Sequence, residues 1–222
     1  MTKPETPHLG QDSRASTAPG LFLCFEGGDG SGKSTQVRLL RDALTRHGRD
    51  VLVTRQPGGT PLGAQIRDVL LHGDHVSARA EALLFAADKA HHVDELIRPA
   101  LAVGTVVITD RYTDSSIAYQ GAGRDLGADD IRALQHWAVG GLFPDLTFVL
   151  DVPAEVGRER RGEVHDRLES EADGFHDAVR QGFLDLAAQA PDRYVVLDGR
   201  LPPEEVHAAA LARAEELLGR RR

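Results

Sequence analysis

The stretch GGDGSGKST, Gly27–Thr35, limits what this chain can fold into more than any other part of it. It fits the spacing G-x-x-x-x-G-K-[ST] with Gly27, Gly32, Lys33 and Ser34; Gly28, Asp29, Gly30 and Ser31 fill the interval, and Thr35 follows. An apolar run, Leu21–Phe25, leads into it, and a helical pattern, Val37–Leu44, leads out. A chance glycine-rich turn would lack these flanks. The glycines allow backbone N–H groups to turn inward around phosphate oxygens with no Cβ in the way. The helix that follows points its positive end at the same anion. Lys33 adds an ammonium for the outer phosphates, and Ser34 offers a hydroxyl to a magnesium ion. The chain has three lysines, Lys3, Lys33 and Lys89, against twenty-three arginines, so a lysine kept in this loop suggests that a compact point charge is required there.

The rest of the chain supplies a frame for such a loop. With 222 residues it is long enough for one well-buried domain, and its formal charge of −8 argues against a surface that coats nucleic acid. Residues 1–20 are rich in Pro, Thr, Ser and Gly and are expected to be a disordered tail, leaving 21–222 as the domain. The single cysteine, Cys24, lies in an apolar run and reads as a small buried residue. No run approaches a membrane span and no secretory pattern opens the chain, so the expectation is a cytoplasmic protein without a membrane partner.

Strand patterns at Leu21–Phe25, Val51–Val53, Thr105–Thr109, Leu146–Asp151 and Tyr194–Leu197 alternate with helical ones. The helical segments are about Lys33–Arg46, Leu62–Leu71, Arg79–Ala102 with Pro99 bending its last turn, Ala128–Val139, a helix from Ala154, Phe175–Ala190 and Pro203–Leu218. Asp110–Arg124 is expected to lead into a loop and then the Ala128–Val139 helix. This alternation predicts an α/β fold with a parallel sheet covered on both faces, whose ligands sit at the carboxyl ends of the strands. Three loops meet there: the phosphate loop, the RQPGGT stretch carrying Arg55, and Asp110–Arg111.

Five stretches in this order and spacing resemble the bacterial thymidylate kinases: EGGDGSGKSTQ (Glu26–Gln36), TRQPGGTPLG (Thr54–Gly63), ALLFAADKAHHV (Ala82–Val93), DRYTDSSIAYQGAGR (Asp110–Arg124) and DRLESE (Asp166–Glu171). The first alone marks any phosphate-loop protein; the set is specific. The resemblance implies a three-layer P-loop fold with five parallel strands, a small mobile lid at about 158–170, a homodimer, and transfer of a phosphoryl group from ATP, with Mg2+, to dTMP. It further implies that Arg55 grips the acceptor phosphate, that thymine stacks on Phe85, and that Lys89, Ser116, Tyr119 and Gln120 read base and deoxyribose. Tyr119 would exclude a ribose 2′-hydroxyl by packing. Arg111 reaches the phosphates from the acceptor side, and Ser34, Asp29 and Asp110 are the metal candidates. One or more of Arg158, Arg160 and Arg161 would act from the lid, next to the helix-weakening Gly162, with Lys33 and Arg111 completing the catalytic set.

Two positions depart from the family pattern. Gln56 stands where Glu is usual, losing a charge, and Lys89 stands where Arg is usual, losing the two-pronged donor geometry. Alternatives are a kinase for another nucleoside monophosphate, a slow GTP switch, and a nucleic-acid-associated ATPase. The switch needs an NKxD-type guanine reader, and the chain contains no asparagine.

Overall fold

In the computed structural model, residues 20–124, 126–161, 168 and 173–221 are described below. Five strands form one parallel sheet in the order β2-β3-β1-β4-β5: β1 Phe22–Glu26, β2 Val51–Arg55, β3 Val106–Asp110, β4 Leu146–Asp151 and β5 Tyr194–Asp198. β1 is central because it can be: each of its five residues is buried. The two-residue period divides them between layers. Leu23 and Phe25 pack with Leu40 and Leu44 of α1 (Lys33–Arg46) and with Val206 and Ala210 of α9 (Pro203–Arg220). Phe22 and Cys24 face the opposite side, against Tyr112, Val93 and Ile97.

On that second side lie α2 (Pro61–His72), α3 (Ala78–His92), α4 (Arg98–Ala102), α5 (Thr113–Ser116), α6 (Ala128–Ala138) and α8 (Asp173–Gln189). The core there includes Leu70, Phe85, Tyr119, Ile131 and Phe183. α7 (Ala154–Arg161) follows β4 over the phosphate loop. A Cβ built on Gly30 would lie 2.1 Å from the Gly157 carbonyl oxygen, and Gly30 has φ +76°, so this loop–helix contact needs glycine for both space and backbone conformation. Among the described residues no helix is long and apolar enough to cross a membrane.

Some expected boundaries move. β2 continues to Arg55 because Thr54 and Arg55 pair with Thr109 and Asp110 of β3. The single helix expected over Arg79–Ala102 divides: α3 ends at His92, a π-helical turn covers Val93–Ile97, and Pro99 sits in the first turn of α4. After Asp110 the chain is helical, as α5 and then a π-helical stretch, Ile117–Gly123, before the connection to α6. The expected tail, apart from Gly20, and residues 162–167, 169 and 170 of the expected lid lie outside the described residues, as do 171 and 172.

Candidate active site

The loop after β1 is shaped by its glycines. Gly32, at φ +98°, caps α1, and the helix begins at Lys33. Lys33 is buried, and its Nζ donates to the carbonyl oxygens of Gly27 (3.1 Å) and Gly28 (2.8 Å). Burial, aided by the charge of Arg111, pushes its pKa down. On the exposed rim the Ser34 hydroxyl donates to Asp110 Oδ2 at 3.0 Å, across a sequence gap that the β1–β3 pairing closes. Thr35 is exposed beside Ser34.

Arg111 follows β3 in a left-handed conformation, φ 68°, rare for a side chain of its size. The surroundings impose it. Its N–H donates to Phe25 O (2.9 Å), its carbonyl accepts from Thr109 Oγ1 (2.9 Å), and the next turn is clamped by Glu26. Glu26 Oε1 accepts from the N–H groups of Tyr112 (2.8 Å) and Ser115 (3.0 Å), and Oε2 accepts from Ser115 Oγ (2.6 Å). Burial, with Asp114 nearby, raises the Glu26 carboxyl to about 7. The Arg111 guanidinium then donates to Gly27 O (3.0 Å), Ser115 Oγ (3.1 Å), Tyr119 OH (3.1 Å) and Asp29 Oδ1.

Asp29 was a metal candidate; here its Oδ1 takes Arg111 and its Oδ2 accepts from Tyr119 OH at 2.8 Å. Burial alone would raise its carboxyl, but Arg111 and Lys33 hold it well below the usual carboxylate range. Both oxygens thus face donors rather than the Ser34–Asp110 rim. Ser34 and Asp110 offer two hard oxygens with room for water, the donor set magnesium takes when phosphate and water supply the rest. Among the described residues no cluster of three or more His, Cys, Asp and Glu could hold a metal by itself.

A cavity of about 910 Å³ runs along this edge of the sheet. At one end lie Phe85, Lys89, Ser116, Tyr119 and Gln120, all buried. Lys89 Nζ donates to Ser116 Oγ (2.9 Å) and Phe85 O (3.4 Å) and sits 5.2 Å from the Phe85 ring centre. Burial lowers its pKa to about 8. Arg55, exposed at the end of β2, lines the middle of the cavity with Gln56 and Pro57.

Gln56 is not in solvent: its Nε2 lies 2.7 Å from Nδ1 of His92, and Thr54 Oγ1 lies 2.7 Å from Nε2 of the same ring. His92 therefore grips both neighbours of Arg55. Burial, with Lys89 and His91 adding to it, holds the His92 pKa down at about 4, so the ring is neutral.

Of the three arginines before the lid, Arg160 lines the cavity, donating from Nη1 to Gly199 O at 2.8 Å. Arg158 is exposed and is not among the lining residues, and the side chain of Arg161 lies outside the described ones. The helix presents Arg160 to the loop after β5.

That loop was missed. Gly199–Pro203, with Gln36 and Val206, walls the far end of the cavity. It follows a strand at the carboxyl edge of the sheet, which is itself the signal that could have found it. His92 and Glu26 were also missed; a histidine inside an apolar helical pattern and an acid closing a strand carry no local mark of their partners.

Residues 25–210 match the family model for thymidylate kinase. A thymidylate kinase of Clavibacter michiganensis subsp. michiganensis is 53% identical over 203 residues, covering 90% of this chain and 96% of that one. Those of Bifidobacterium longum (52%, covering 89% and 98%) and Cutibacterium acnes (51%, covering 90% and 99%) are similar. Since the match takes in every loop that frames the cavity, and runs nearly the full length of these relatives, the chain belongs to the thymidylate kinase family.

Proposed function

We propose that this chain transfers the γ-phosphoryl group of ATP to dTMP, giving dTDP and ADP for dTTP synthesis. The observation that carries this reading is one cavity with a phosphate loop in its middle and two unlike ends. The end formed by Phe85, Lys89, Ser116 and Gln120 suits a pyrimidine: an aromatic face for stacking and a few buried polar groups at its edge. The opposite end, between Arg160 and Gly199–Pro203, receives the donor's base. Both phosphate chains then converge on Lys33, Arg55 and Arg111.

Phosphoryl transfer needs positioning and charge neutralisation more than covalent help from side chains. Lys33 bridges outer phosphate oxygens when it leaves the carbonyls of Gly27 and Gly28. Arg111, fixed by Asp29, Tyr119 and Ser115, presents a guanidinium that costs little reorganisation during reaction. Arg55 grips the acceptor phosphate. Ser34 and Asp110 would hold magnesium, which when bound neutralises charge on the donor phosphates. Arg160 supplies a further cation from α7.

Three neighbouring helices carry exposed apolar side chains: Leu62 and Val69 on α2, Leu83 on α3 and Trp137 on α6. They support a homodimer through this face, readable by light scattering across a dilution series. The activity is tested by supplying ATP and magnesium with dTMP, dUMP, dCMP, dGMP or AMP and following ADP. Fastest turnover with dTMP is expected. Equal use of dGMP would overturn the acceptor assignment, and ADP release without any acceptor would favour an ATPase.

A further inference from the structure

The base end of the cavity holds a donor, Lys89, and an amide, Gln120. An amide offers NH2 or C=O within one volume, so Gln120 alone suits either of two opposite base edges. Glu81, on α3 and fully buried, removes that freedom. Its Oε1 accepts from Gln120 Nε2 at 3.0 Å. Nε and Nη2 of Arg124 lie 3.4 Å from Oε1 and Oε2 respectively, and the Arg124 guanidinium lies 5.1 Å over the Phe175 ring. A carboxylate between an amide and a guanidinium accepts from both, so the amide must turn its NH2 toward Glu81 and its Oε1 the other way. Gln120 lines the cavity, whereas Glu81 and Arg124 do not.

We propose that Glu81, with Arg124 beside it, is a positioning residue that fixes the Gln120 amide with its carbonyl toward the base, and thereby makes the site select a keto pyrimidine over an amino pyrimidine. This rests on the acceptor reading of that end of the cavity. A 4-keto pyrimidine presents an accepting O4 beside a donating N3–H; a 4-amino pyrimidine presents the reverse pair. A donor at Lys89 and an acceptor at Gln120 match the first at both atoms and oppose the second at both. Leaving such polar groups mismatched in a buried site is what discriminates strongly between analogues of equal size.

The test compares dTMP with 5-methyl-dCMP, which keeps the methyl group and shape and exchanges only that edge. The unmodified enzyme should prefer dTMP by on the order of a hundredfold or more in kcat/KM. Glu81→Gln lets two amides face each other in either sense, so the preference should fall at least about tenfold, through KM for dTMP with kcat little changed. If that variant does not fold, Glu81→Gln/Arg124→Gln, which also removes the guanidinium left without its acid, takes the same measurement.

Independently of any variant, nitrogen-edited NMR of the unmodified protein should show the Gln120 NH2 protected from exchange with and without dTMP. A preference unchanged within twofold in a folded, active variant would overturn the proposal, as would a freely exchanging Gln120 NH2 or use of 5-methyl-dCMP within tenfold of dTMP. Absence of dTMP phosphorylation in the unmodified enzyme would instead overturn the acceptor reading itself.

Discussion

Lys89 gives the sharpest test of how the base pocket works. The residue is 1% exposed, its ammonium donates to Ser116 Oγ and Phe85 O, and burial brings its pKa to about 8. At pH 7 the group is therefore charged, and by pH 9 only about a tenth of it remains so. A charged donor is worth roughly 1 kcal/mol more than a neutral one, about fivefold in an equilibrium constant. Arginine, the usual family residue, stays charged throughout. Placing a larger guanidinium in this closed slot also carries a packing cost of about 1–3 kcal/mol, so the absolute level of the Lys89→Arg variant is not the informative quantity.

The informative quantity is the slope. The ratio of kcat/KM for dTMP, unmodified enzyme over Lys89→Arg, should fall about fivefold between pH 7 and pH 9.5. Because kcat/KM reports groups of the free enzyme, and titration of the nucleotide itself cancels in the ratio, the change belongs to residue 89. ADP release at saturating ATP with dTMP varied at each pH gives the values. A ratio flat within twofold across that range would refute the idea that a buried ammonium reads the base.

Lys33→Ala should cost several kcal/mol of transition-state stabilisation, a hundredfold or more in kcat, and near-normal turnover would remove Lys33 from the mechanism. Arg160→Ala should lower kcat far more than it raises KM for dTMP, whereas Arg158→Ala should stay within about twofold, since of these two Arg160 lines the cavity and Arg158 does not; the opposite ranking in steady-state kinetics would reassign the lid cation. In the unmodified protein the His92 ring signals should not titrate between pH 5 and 8, because its pKa is held near 4. Gln56→Glu brings a carboxylate against Nδ1, which favours the imidazolium, so the ring should begin to titrate within that window; unchanged NMR shifts would show that Gln56 and His92 are not coupled.

Much of this molecule was legible along the chain because the physics involved is local. The phosphate loop is set by glycines whose conformations few other residues share, and the buried strands by runs of apolar residues, so β4 and α1 begin and end where their patterns do. What stayed hidden depends on groups far apart in sequence. Arg111 meets Asp29 across 82 residues, and Glu26 meets Ser115 across 89. Nothing near either acid states whether it will hold a metal, an arginine or a backbone turn. The π-helical turns at Val93–Ile97 and Ile117–Gly123 break the 3.6-residue period, yet packing against the sheet and α8, not local preference, decides them. The two departures from family usage, Gln56 and Lys89, were visible at once. That one is a neutral partner of His92 and the other a buried ammonium of lowered pKa follows only from tertiary burial, because desolvation depends on what the rest of the chain places around a group.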